Sequence, residues 1–411
     1  MDREELMELA MDLGYRLQES GAEIYRVEES INRLFSAYGV QGDVFAVNNC
    51  IILTISGDGE APLTRMRRVP AHDTNLDMVE AYNAVSRKLC AETPDYAAAK
   101  ELLRQPRRNT KAYSPLAVLL GAFLSAAAFC MYNQAGPLDG LWAGFCGTAA
   151  AWIYIHLGKR QVNAFFRVIL ASFSISILAT ALQAAGVLKN LEAVTLGGQL
   201  LLLPGLVFTN FIRDIINGDT NAGLSKMVEA LLIAAALAGG AALALILAGR
   251  LFPGAHPETV LTAHPLPLRC LFMGLTGVGV CLLYNVHGPG IILCCLAAAA
   301  GCLANLGAEA LGAGIYGSSL AAAVAISAYA EIMARIRKCP AISYLVVAMY
   351  PLVPGSGLYR ALTYALQGES QLFLSTALRA IAVAGCLAAG MVAVSSLVRL
   401  HGTFANPRKG R

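Results

Sequence analysis

The chain has 411 residues, of which 56% are hydrophobic and only 14% charged, and its mean hydropathy is +0.57. Soluble domains carry about a quarter charged residues, so this composition excludes an ordinary soluble protein and points to the membrane. Charge is also uneven: residues 1 to 111 hold 18 acidic and 14 basic side chains, and the other 300 hold 9 and 17. A polar N-terminal part therefore precedes an apolar body.

The opening, MDREELMELAMDLGYRLQES, is acidic and lacks a basic stretch followed by an apolar core, so it reads as neither a secretion signal nor a span. The N-terminal part is expected in the cytoplasm. In SGAEIYRVEESINRLFSAYG, Ser20 and Glu23 have the spacing of a capping box. Ile24, Val27, Ile31, Leu34 and Phe35 share one helical face, and Gly39 ends it. GDVFAVNNCIILTIS predicts two strands turning at Asn48 and Asn49, PLTRMRRV a third, and helical spacing returns over 75–90 and 95–105. Residues 1–111 are thus expected to form an α+β domain. The cluster of Arg65, Arg67 and Arg68 reads as a solvated strand face, and eleven cysteines without CxxC pairs read as small buried hydrophobes. HExxH, GxxxxGK[ST] and GxSxG are absent, and the six histidines show no metal-ligand pattern, His256 and His264 in the Pro-rich turn included. Neither an enzyme nor a bound metal or other cofactor is expected.

After LLRQPRRNTKAYSP the apolar runs divide into ten segments of bilayer-spanning length: 115–133, 139–157, 164–185, 193–216, 227–249, 268–286, 290–306, 313–334, 341–366 and 371–398. With the N-terminus inside, fifteen Lys and Arg flank the cytoplasmic ends and only Lys189, Arg250 and Arg269 the opposite ones, which satisfies the positive-inside rule. Both termini, including the basic tail 401–411, are expected in the cytoplasm. YNQAGP at 132–137 recurs as YNVHGP at 284–289, and LPGLVFTNFIRDIINGD at 203–219 recurs as VPGSGLYRALTYALQGE at 353–369. The offsets are 152 and 150, and the order is the same. The fold expected is an α-helical polytopic membrane protein whose two five-helix modules, 112–250 and 264–400, are related by an inverted repeat, since five is odd.

Each module carries a Pro-Gly pair inside an apolar segment, Pro204-Gly205 and Pro354-Gly355. Such a pair costs a helix about 3 kcal/mol or more, and unpaired backbone in hydrocarbon costs further. Paired breaks in corresponding segments mark a midplane binding site, where the half-helix after the break aims free N–H groups at an anion. The rival reading is a kink that serves packing alone. GLTGVG at 274–279 lies in an apolar run and reads as close helix packing rather than a dinucleotide turn.

The stretches GAEIYRVEESINRLFSAYG, LPGLVFTNFIRDIINGDTNAGLSKMVEALL and YLVVAMYPLVPGSGLYRALTYALQG together resemble the threonine/serine exporter family over nearly the whole chain. The resemblance implies a cytosolic N-terminal domain, about ten spans, and export of threonine, serine or related small metabolites across a bacterial inner membrane, driven by protons. The partners implied are a small amino acid, protons and the lipid bilayer, with no nucleic acid and self-association left open. The alternatives are export of another small carboxylate, a membrane sensor and an intramembrane enzyme.

For a hydroxy amino acid, Ser356, Gly357 and Tyr359 after the second break and Thr209 and Asn210 after the first are the expected contacts. Arg360 would assist the N–H groups after Gly355 in holding the carboxylate, Asn210 or Thr209 would read the hydroxyl, and Asp214 or freed backbone carbonyls would hold the ammonium. An interfacial anchor is the rival role for Arg360. Glu229 and Arg379 occupy equivalent places with opposite charge, and with Asp214 they are the candidates for proton coupling or gating; the rival for Glu229 is an interfacial, snorkelling position.

Overall fold

The computed structural model describes residues 1–56, 61–69, 74–216, 218–252 and 260–405. His256 and the tail cations Arg408, Lys409 and Arg411 lie outside the described residues. The chain divides into two compact units: Met1–Tyr113 with Tyr284–His287 and Met333–Ser343, and the remainder.

The first unit begins with α1 (Arg3–Glu19) and α2 (Ile24–Ala37), continues through β1 (Gly42–Val47), β2 (Cys50–Ile55) and β3 (Leu63–Arg68), and closes with α3 (Leu76–Glu92) and α4 (Tyr96–Asn109). The sheet is antiparallel in the order β1-β2-β3, and Val47 pairs with Cys50 across the Asn48-Asn49 turn. Alternation along β2 buries Ile51, Leu53 and Ile55 completely, and these join Met7, Leu13, Val27, Ile31 and Leu34 in the core. Each such side chain contributes about 1.5–3 kcal/mol by leaving water. Gly14 in α1 lets Ile31 pack close, since a Cβ there would lie 2.6 Å from Ile31 Cδ1 and the side chain would have to shift.

Ser20 does not cap α2. It is the C-cap of α1, where its hydroxyl donates to the Arg16 carbonyl at 2.7 Å, and α2 starts at Glu23 without a side-chain cap. The capping box of this unit is Asp2 with Glu5 on α1, the same spacing one helix earlier. Of the arginine cluster, Arg67 pairs with Asp12 at 2.5 Å and lies over the Tyr15 ring at 3.9 Å.

The two later pieces of this unit are pinned by specific bonds. Leu76 N–H donates to the Tyr284 carbonyl at 2.9 Å, and His287 pairs with Asp77 at 2.6 Å. Tyr113 stacks on His287 at 3.9 Å and donates to the Val286 carbonyl. Arg337 stands 3.7 Å from Glu80, whose carboxyl desolvation raises above its ordinary range, with Arg337 pulling the other way.

The second unit holds α5 (Pro115–Tyr132), α6 (Pro137–Lys159), α7 (Ala164–Ala184), α8 (Leu191–Gln199), α9 (Gly205–Ile216) and α10 (Thr220–Leu251). It continues with α11 (Leu266–Leu283), α12 (Pro289–Ala310), most of α13 (Gly314–Arg337) and α14 (Ile342–Met349), then α15 (Gly355–Leu366) and α16 (Ser370–Ala405). Among the described residues seven helices are long and apolar enough to cross a membrane, α5, α7, α10, α11, α12, α13 and α16, and the bent pair α8–α9 makes eight if it is one span. The protein is a polytopic membrane protein. The other two segments expected from the sequence fall on α6 and on α14–α15. Glycines and Asp139 dilute the hydropathy of α6, and α14 and α15 are 8 and 12 residues long.

Small residues bring these helices together, as expected where lipid supplies no hydrophobic drive between them. A Cβ on Gly121 of α5 would lie 2.8 Å from the Gly279 carbonyl of α11, which gives the GLTGVG run its role as a backbone-to-backbone contact. Leu232, Ile246, Ile292 and Leu378 point outward, exposed as lipid-facing side chains must be.

Candidate functional site

The two Pro-Gly pairs form the ends of broken helices. After Gln199 the chain makes one tight turn at Leu200–Leu202, runs extended at Leu203, and restarts after Pro204 as α9 at an angle of 57°. After Met349 it turns through Tyr350–Val353, and Pro354 caps α15. Helix geometry leaves the first N–H groups of α9 and α15 without intrahelical acceptors.

The breaks touch each other. A Cβ on Gly205 would run into Val353 Cγ2, and one on Gly355 would lie 3.0 Å from Leu203 Cβ, 3.1 Å from Gly205 N and 3.2 Å from Gly205 Cα. The Tyr350 hydroxyl, from the second break, donates to the Leu201 carbonyl of the first at 3.1 Å. Glycine at both positions lets the breaks approach, the first against the Val353 side chain and the second against Leu203 Cβ and the Gly205 backbone, and the two helix N-termini converge on one buried point: Pro204, Gly205, Pro354 and Gly355 are all buried.

The side chains after the breaks fall into three groups. Thr209 is 1% exposed and its Oγ1 has no partner, whereas Asn210, Ser356, Gly357 and Tyr359 are half-buried. Gly357 packs on α16, where a Cβ would meet Ala380 Cβ at 3.2 Å. Asp214 is buried and already paired, with Lys226 Nζ at 2.5 Å and Arg213 at 3.4 Å. Arg360 is exposed and ion-paired with Glu192 at the start of α8. Glu229 and Arg379 are exposed on α10 and α16, while their neighbours Ala230 and Ala380 are buried in one apolar cluster with Phe208, Phe211 and Leu358.

A polar group unforeseen in the sequence lies beside the first break. Gln199, the last residue of α8, is fully buried; its Nε2 donates to Ser172 Oγ of α7 at 3.2 Å, and its Oε1 has no partner. Ser172 donates to the Leu237 carbonyl of α10 at 2.7 Å. Tyr359, from α15, packs against the cluster of Val168, Leu203, Ala236 and Leu237, and its phenol lies beside the Gln199 side chain. The available signal was one amide in the apolar run VTLGGQLLLLPG, five residues before Pro204. Among the described residues no three His, Cys, Asp or Glu side chains are grouped to hold a metal ion, and His264 is bonded to the Ala135 carbonyl at 2.9 Å.

A threonine/serine exporter family model matches residues 8–248, and a second one, described as threonine/serine exporter ThrE, matches residues 269–397. The chain is 21% identical over 402 residues to a protein of Corynebacterium glutamicum named "Threonine/serine exporter", covering 94% of this chain and 81% of that one. It is 24% identical over 404 residues to a Mycobacterium tuberculosis protein named "Probable threonine/serine exporter", covering 93% and 75%. No solved structure matches. Two family models together spanning nearly all of the polar domain and the membrane helices leave one assignment: the chain belongs to the threonine/serine exporter family.

Proposed function

We propose that this protein exports a small hydroxy amino acid, threonine or serine, from the cytoplasm across a bacterial inner membrane, at a midplane site formed where the two helix breaks meet. Members of its family are transporters and not enzymes. The observation that carries the proposal is the reciprocity of the break contact. Shifting the pair Gly205–Val353 by the repeat offset of 150 exchanges it for the pair Gly355–Leu203, and both contacts exist. Such mutual exchange is the mark of a two-fold relation, here between two halves of one chain. In the inverted reading, α5 to α10 and α11 to α16 are the two copies, each with three helices, a broken helix and a long helix. The composition of the first unit supports the accompanying orientation. Tyr284–His287 and Met333–Ser343 pack with residues 1–113, as turns on the same side as the N-terminus must be free to do.

In this reading the substrate carboxylate rests on N–H groups in the first turns of α9 and α15, where the helix dipoles also favour an anion, while Gly355 N–H donates to the Val353 carbonyl at 2.8 Å. Arg360 is engaged by Glu192, so the backbone is the principal carboxylate ligand. Thr209, with a buried hydroxyl lacking a partner, reads the substrate hydroxyl together with Asn210. Proton coupling falls to the buried Asp214, which is paired with Lys226, rather than to the exposed Glu229. The test is counterflow in proteoliposomes with candidate amino acids, with and without a pH gradient. Threonine and serine should exchange, and Asp214→Asn should keep exchange while losing its response to the gradient. Failure of wild-type vesicles to exchange either amino acid would refute the proposal.

A further inference from the structure

Gln199 combines three properties that a packing residue does not need: complete burial, an unpartnered carbonyl oxygen and a fixed orientation. The orientation follows from proton counting. A serine hydroxyl has one hydrogen, and that of Ser172 is committed to the Leu237 carbonyl at 2.7 Å. Ser172 Oγ can therefore only accept from Gln199, which holds Nε2 toward Ser172 and leaves Oε1 as the free acceptor. An unmet carbonyl in a water-free interior is costly, and the repeat shows how easily it could be avoided. At the offset of 150, Gln199 corresponds to Met349 and Ser172 to Ala322, both buried and apolar. Tyr359 corresponds to Thr209. The polar set is thus present once, on the first-half side of the apposed breaks.

Resting on the exporter reading above, we infer that Gln199 Oε1 binds the substrate's α-ammonium, with Ser172 as the positioning residue that fixes the amide and Tyr359 of the second half beside it. An amide oxygen accepts and cannot donate, so the ligand group facing it must be a donor. The ammonium is the donor most in need of an acceptor in a dry site. The buried carboxylate expected to receive it, Asp214, is already held by Lys226 and Arg213. Substrate specificity then has a simple form: an amino group is required, and a hydroxy acid lacking one is rejected.

The test compares threonine, alanine and 3-hydroxybutyrate as counterflow substrates for wild type, Gln199→Met and Ser172→Ala. Methionine is the residue at the equivalent place in the other half, and it removes the unmet carbonyl, so its melting midpoint in detergent should match or exceed wild type. Gln199→Met should weaken the half-saturating concentration for threonine and alanine alike by about ten-fold or more, as loss of a hydrogen bond to a charged group does. Ser172→Ala should weaken both by a smaller factor and lower the melting midpoint, because it leaves the buried Gln199 Nε2 without an acceptor. Wild-type affinity in Gln199→Met would overturn the inference. A loss confined to threonine, with alanine unaffected, would overturn the ammonium assignment. Failure of the wild type to exchange any amino acid would instead strike the exporter reading, so the two failures are distinguishable.

Discussion

Replacing Gly355 with Ala probes the contact on which the proposed site depends. The new Cβ would lie 3.0, 3.1 and 3.2 Å from Leu203 Cβ, Gly205 N and Gly205 Cα, whereas ordinary contact begins at 3.4 Å. The two breaks must therefore separate by about 0.2–0.4 Å, and because two of the three atoms are backbone, no side-chain rotation relieves it. Overpacking of this kind costs about 1–3 kcal/mol. At about 1.2 °C per kcal/mol for a chain of this size, the melting midpoint in detergent should fall by about 1–4 °C. Threonine counterflow should fall with it, since the starts of α9 and α15 move apart. Gly239 supplies the control: it lies inside α10 with nothing within 4 Å of where a Cβ would stand, so Gly239→Ala should be neutral or stabilising by about 0.5–1 kcal/mol. Gly205→Ala offers a second check, because its obstacle is the Val353 side chain. Adding Val353→Ala should recover part of the loss, giving a non-additive pair. If Gly355→Ala melts and transports like Gly239→Ala, the apposition of the breaks is not what the site depends on.

Two further outcomes follow from other contacts. Arg360→Lys should keep counterflow within about two-fold of wild type, because an exposed pair with Glu192 is worth about 0–1 kcal/mol; a loss beyond ten-fold would return Arg360 to the role of bidentate carboxylate clamp. Desolvation raises the Glu80 carboxyl in the folded state above its ordinary 4.5. The folded unit then binds that proton more tightly than the unfolded chain, so this contribution to stability is present below pH 4.5 and is lost as pH rises through the raised value. Thermal unfolding should show Glu80→Gln gaining on wild type between pH 4 and pH 8, and a constant difference would refute the assignment.

What was legible in the sequence was what periodicity and turn chemistry control. The Asn48-Asn49 turn, the register-setting alternation of Ile51, Leu53 and Ile55, and the Pro-Gly breaks are all local patterns, and the helices and strands stand where they place them. The capping box was misplaced because Ser20-x-x-Glu23 and Asp2-x-x-Glu5 have the same spacing. Only the hydrogen bond of Ser20 to Arg16 O decides between ending one helix and starting the next. The interior of the site was less legible for a different reason. Arg360 and Asp214 were expected to face a ligand, but whether a charge is free depends on partners distant in the chain, and Glu192 is 168 residues from Arg360. Gln199 was missed because one amide in an apolar run gains meaning only when Ser172, Leu237 and Tyr359 are brought around it.

The inverted pairing of the two halves is tested most directly by the sidedness of their equivalent turns. Pro137 and Pro289 are both exposed, open α6 and α12, and are related by the offset of 152. In a cysteine-free background, Pro137→Cys should react with a membrane-impermeant maleimide added to intact cells, and Pro289→Cys should react only after the membrane is opened. Labelling of both from the same side would contradict the inverted repeat and, with it, a shared site at the two breaks.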